Sequence, residues 1–209
     1  MKPSIPDRAA DPVDDVPWVN LPNALTIARV LCVPILAVLL AMDDGAMGSA
    51  RDAAAIIFVL ASITDLMDGA IARRYGLVTT FGKIADPIAD KALTGVALIG
   101  LSMLGELTWW VTGIILVREI GVTVLRFWVI DHGVIPASRG GKLKTLAQTV
   151  AITMYLADVP LGWWTTASGV VMGVAVLLTV VTGMDYVVRA VRLRRQPTTI
   201  RTNLGVHRA

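Results

Sequence analysis

Two stretches decide how this chain folds. The first is Asp65-Leu-Met-Asp68-Gly69-Ala-Ile-Ala72-Arg73, and the second, eight residues on, is Gly82-Lys-Ile-Ala-Asp86-Pro-Ile-Ala-Asp90. On a helix, Asp65 and Asp68 are three apart and share a face, and Asp86 and Asp90, four apart, share another. Gly69 stacks one turn past Asp65, Ala72 returns to the same side, and Gly82 lies one turn before Asp86. Small residues beside carboxylates let a ligand or a neighbouring backbone come close. Pro87 is tolerated just inside a helix start, so the spacing predicts that Asp86 caps the helix that follows.

Working outward, both flanks are apolar. Of the 209 residues, 55% are hydrophobic and 17% charged, with a mean hydropathy of +0.68. A soluble domain carries about 25% charged residues. The composition therefore excludes an ordinary soluble enzyme, a disordered chain and a disulfide scaffold. The single cysteine, Cys32, has no internal partner and is read as a small packed hydrophobe. The net charge is +3, and the placement of the charges argues for a membrane, with no nucleic acid as partner.

A membrane span takes about 20 apolar residues. Six windows meet this: Ala24–Met42, Ala53–Asp68, Asp86–Leu104, Leu107–Ile130, Leu146–Trp163 and Ala167–Val188. The expected fold is an all-α integral membrane protein of six transmembrane helices over residues 21–190. A polar tail (1–20) without the apolar stretch of a signal peptide precedes them, and a basic tail (191–209) follows. Six spans put both termini on one side. Of the 19 Lys and Arg residues, only Arg51 then falls on the far side. The excess of cations places both termini in the cytoplasm, and Trp109–Trp110 and Trp163–Trp164 fall at the outer interface. The tail cations Arg192, Arg194 and Arg195 are read as an orientation signal rather than a lipid-specific site.

Charges inside a membrane are rare and mark function. Here all four carboxylates fall at the cytoplasmic ends of spans two and three. Crowded together, they need protons or cations to balance them. Hard divalent ions such as Mg²⁺ or Mn²⁺ take oxygen ligands, often with phosphate oxygens. Paired helices donating carboxylates build two-metal sites, which suit displacement at phosphorus. A proton- or cation-coupled transporter is the rival reading. It explains neither the glycines beside the acids nor the arginine at their mouth.

The pattern D-x2-D-G-x2-A-R-x8-G-x3-D-x3-D resembles the signature of the CDP-alcohol phosphatidyltransferases, with every fixed position matched. The resemblance implies that Asp65, Asp68, Asp86 and Asp90 hold two divalent cations, Mg²⁺ or Mn²⁺, and that Asp90 is also the general base. It implies a CDP-lipid site at Gly69, Arg73, Thr79 and Gly82. Asn23 and Thr26 either join that site or cap the first helix. It also implies a homodimer in the cell (inner) membrane, with its active site facing the cytoplasm.

Three further segments bear on the acceptor: Asn20 to Arg29, Val117 to Arg126 and Ser138 to Thr145. They resemble the branch of the family that joins CDP-diacylglycerol to glycerol 3-phosphate. A small dianion needs cations besides the metals. Arg118, Arg126, Arg139, Lys142 and Lys144 are the candidates, with the two lysines following a Gly-Gly turn. Arg118 has the alternative of pairing with Glu119, and Lys144 that of a plain cytoplasmic anchor. His132 and His207 have no ligand-like company. Alternative acceptors within the family are phosphatidylglycerol, as in a cardiolipin synthase, and an inositol phosphate.

Overall fold

The computed structural model describes residues 20–43, 48–75, 79–129, 139–157 and 159–195. Within them the chain forms six helices: α1 (Leu21–Met42), α2 (Ser49–Tyr75), α3 (Thr80–Met103), α4 (Trp109–Val129), α5 (Arg139–Ala157) and α6 (Trp164–Arg195). They run from 19 to 32 residues. At 1.5 Å per residue that is roughly 28 to 48 Å, the scale of a bilayer core. Two of them, α1 and α6, are long and apolar enough throughout to cross a membrane.

The apolar surface is arranged as in a protein whose solvent is lipid. Large apolar side chains stand outward on every helix, among them Leu31 at 59% exposure, Val117 at 72% and Trp110 at 84%. In water such a continuous exposed surface is a liability. A smaller core fills the middle: Leu36 and Leu40 from α1, Phe58 from α2, Leu98 and Leu101 from α3, and Ile152 from α5. Cys32 packs half-buried against it. α1 lies against both α2 and α3, and α5 packs on α6 and α2.

Three local expectations are corrected. Asp86 does not cap α3. The helix begins six residues earlier, and its cap is Thr79, whose hydroxyl accepts from the Gly82 N–H at 3.0 Å. Pro87 lies inside α3, where its ring cannot supply the N–H that closes that turn. Neither Asn23 nor Thr26 caps α1. Asn20 does, accepting from the Asn23 N–H at 2.9 Å. Gly140-Gly141 is not a turn either, since both residues lie in the first turn of α5.

At the end away from the acidic stretches, Arg51 is fully buried and ties four places together. Its guanidinium meets Asp43 at 2.9 Å and Glu106, and donates to the carbonyls of Leu156 at 3.1 Å and Tyr155 at 3.0 Å. Trp109, Trp110 and Trp163 lie exposed at this end.

Candidate active site

The site is assembled where the end of α2 meets the starts of α1 and α3. α1 contributes a slanted polar ridge of Asn23, Thr26 and Arg29, all buried within an otherwise apolar helix. Spacing of three carries them along one helix ridge. Asn23 Oδ1 accepts from the Thr79 hydroxyl at 2.7 Å. The Thr26 hydroxyl sits between its own Pro22 carbonyl, at 3.0 Å, and the Asp86 carboxylate. α1 thereby fixes the first turns of α3. Gly82 keeps this junction close, because a Cβ would stand 3.1 Å from Asn23 Oδ1 and 3.3 Å from Thr79 Oγ1 and both side chains would have to give way.

Arg29 is the residue that sequence reasoning passed over. Its guanidinium bridges Asp68 and, at 2.6 Å, Asp65. Asp68 is buried and Asp65 about a third exposed. Asp65 also interacts electrostatically with Asp86 and Asp90 across the gap between α2 and α3. The four acids therefore share one field, as their spacing led us to expect. Their kind fits a hard divalent cation: four carboxylates, two of them already closed on a cationic group. Among the described residues no three acidic, histidine or cysteine groups converge on a single point. Arg29 draws Asp65 and Asp68 toward α1, while Thr26 engages Asp86. Gly69 is half-buried beside Asp68, and the side chain of Arg73 lies outside the described residues.

A second polar centre adjoins Asp90. Glu119, on α4, accepts from Lys144 of α5 and pairs with Arg118 at 3.1 Å. Arg118 also donates to Thr182 of α6 at 3.2 Å. The pairing of Arg118 with Glu119 is the alternative the sequence offered, and Lys144 is buried rather than a loose anchor. Of the other three cations, the two that are described do not join this centre. Arg126 and Lys142 are exposed, and the side chain of Arg139 lies outside the described residues. The physical reason for the split is helical: Lys142 and Lys144 are two apart on α5 and so face nearly opposite ways. The expected basket is therefore two cations clamped on one glutamate, with two more at the surface.

Between these centres lies a cavity of about 20 Å³, walled by Asp90, Lys91, Glu119, Lys144 and Gln148 together with three threonines. A polar space of this size takes one water-sized group.

Comparison with known proteins follows the same line. A "Probable phosphatidylglycerophosphate synthase" of Mycobacterium tuberculosis is 56% identical over 173 residues, which is 83% of this chain and 82% of that protein. A "CDP-diacylglycerol--glycerol-3-phosphate 3-phosphatidyltransferase" of Bacillus subtilis is 38% identical over 179 residues, covering 80% of this chain and 93% of the relative. The protein of that name from Rickettsia typhi is 39% identical over 171 residues, covering 80% and 94%. The sequence profile of one family spans residues 19–181, taking in the acidic stretches, Arg29 and the Glu119 centre alike, and by that match the chain belongs to the CDP-alcohol phosphatidyltransferases.

Proposed function

We propose that this chain transfers the phosphatidyl group of CDP-diacylglycerol to glycerol 3-phosphate, forming phosphatidylglycerophosphate and releasing CMP. The observation that carries the reading is the adjacency of two centres of opposite character. Four carboxylates lie on α2 and α3, and a clamped pair of cations lies just beyond Asp90. The names of the Bacillus subtilis and Rickettsia typhi relatives carry the same two substrates, and that of the Mycobacterium tuberculosis relative carries the product.

The family is generally dependent on divalent metal, and we assign two ions, Mg²⁺ or Mn²⁺, to Asp65, Asp68, Asp86 and Asp90. When bound, they neutralise the pyrophosphate and the charge that develops as CMP leaves. Asp90 accepts the proton of the attacking hydroxyl, the step a positioned carboxylate assists. Gly69, Arg73, Thr79 and Gly82 line the CDP-lipid side, with Asn23 and Thr26 behind them. Lys144 and Arg118 receive the acceptor phosphate, while Arg126, Arg139 and Lys142 flank its approach. Glu119 keeps the first two cations in place before the dianion arrives.

In this reading residues 21–190 are one membrane unit of six spans, with a polar tail before it and a basic tail after it. Both termini and the site face the cytoplasm, the chain lies in the inner membrane, and it works as a homodimer.

The test is CMP release by purified protein in detergent with CDP-diacylglycerol and Mg²⁺. Glycerol 3-phosphate, phosphatidylglycerol and an inositol phosphate are supplied separately. Release with glycerol 3-phosphate alone, stopped by a chelator, is the expected result. Release with another acceptor moves the enzyme to a different branch. No release from folded protein returns the transporter reading.

A further inference from the structure

Gln148 on α5 is 4% exposed, and its Oε1 has no hydrogen-bond partner among the described residues. A buried amide oxygen left without a donor is costly, and native structures rarely retain one without a reason. Gln148 shares the walls of the cavity beside Asp90 with Thr94, Thr145 and Thr149. At about 20 Å³ the space is too small for a phosphate and suits one hydroxyl. Lys144, assigned to the acceptor phosphate, is on the same wall.

We propose that Gln148 is a specificity-determining residue that reads the acceptor's secondary hydroxyl. The inference rests on the acceptor reading above. Glycerol 3-phosphate has two free hydroxyls on adjacent carbons. The primary one attacks after Asp90 takes its proton. The secondary one then lies one carbon away, between the attacking oxygen and the phosphate. It is a donor, and Gln148 Oε1 is the acceptor that lacks one. An acceptor without that hydroxyl leaves Oε1 unpaired, and a site built to pair a hydroxyl rejects the analogue that lacks it.

The test compares glycerol 3-phosphate with 3-hydroxypropyl phosphate, which has the same phosphate and primary hydroxyl but no secondary one. CMP release is read with the wild-type protein and with Gln148→Met, with thermal unfolding as the check on folding. The wild type should favour glycerol 3-phosphate by about tenfold or more in kcat/KM, the scale of one net hydrogen bond. Gln148→Met should bring glycerol 3-phosphate down to the level of the analogue, so that the ratio falls to about one. An equal loss for both acceptors makes Gln148 a packing residue and overturns the proposal, as does an unchanged ratio. If the variant does not fold, the wild-type ratio decides alone, and a value near one overturns the proposal by showing that the cavity holds only water. CMP release in which the two acceptors are used equally sinks this inference but leaves the enzyme reading standing. No release with either acceptor sinks both.

Discussion

Arg29 carries one charge and faces two carboxylates that a divalent cation also suits. The competition has a measurable form. Arg29→Met leaves Asp65 and Asp68 facing each other with no cation between them. Breaking one partner of a buried pair costs roughly 3 kcal/mol or more. In chelator the variant should therefore unfold at a clearly lower temperature than the wild type, and Mg²⁺ should restore most of the difference. An equal deficit with and without Mg²⁺ makes Arg29 a packing residue. Asp90 has a different signature. On the proposed assignment of Asp90 as the base, Asp90→Asn preserves shape and removes it, so CMP release should fall by about a thousandfold while binding of CDP-diacylglycerol largely survives. Near-normal turnover would place the base elsewhere. The four acids were legible because their spacing along single helices fixes which share a face. Arg29 was not, and neither was the pairing of Glu119 with Lys144, because those partners lie on other helices and spacing within one helix says nothing of them. The one available signal for Arg29 was a polar residue at every third position of an apolar span.

At the scale of the helix, the close approach of α1 and α3 determines where the acids stand. Gly100 of α3 takes the side chain of Leu40, and a Cβ at that position would come within 2.5 Å of Leu40 Cδ1 and 3.1 Å of its Cβ. Gly100→Ala therefore pushes the two helices apart and should cost about 1–3 kcal/mol in thermal or denaturant unfolding. Leu40→Ala in the same chain should recover part of that loss, a non-additive pair that marks direct contact. Helix existence was legible and helix starts were not. The apolar window for the third span opens at Asp86, because polar residues dilute the first turns of α3, and the true cap at Thr79 lies outside it. The fifth span was displaced toward the C-terminus, running Leu146–Trp163 where the helix runs Arg139–Ala157. Gly140 and Gly141 read as a turn by propensity, whereas α5 includes both and is packed against α6 and α2.

For the whole molecule the claim at stake is orientation. With Cys32 replaced by serine, single cysteines at Thr108 and at Arg192 report the two ends, since both positions are exposed. An impermeant maleimide on intact cells should label the Thr108→Cys chain and leave the Arg192→Cys chain unlabelled until the cells are opened. The opposite pattern would reverse the assignment of both termini and of the site. The expectation rests on the distribution of cations alone, which depends on no contact between helices.

The clasp around Arg51 also has a consequence in time. A polytopic chain is made and threaded from its N-terminus. Arg51 enters with α2, and Asp43 has preceded it. Glu106 arrives only after α3, and the carbonyls of Tyr155 and Leu156 only when α5 is almost complete. Through most of synthesis the guanidinium therefore holds only part of its final set of acceptors, and the last of them come from the fifth helix of six. Closure of the clasp is therefore expected late in biogenesis, and a ribosome stalled before residue 155 would hold a nascent bundle whose Arg51 end has yet to lock.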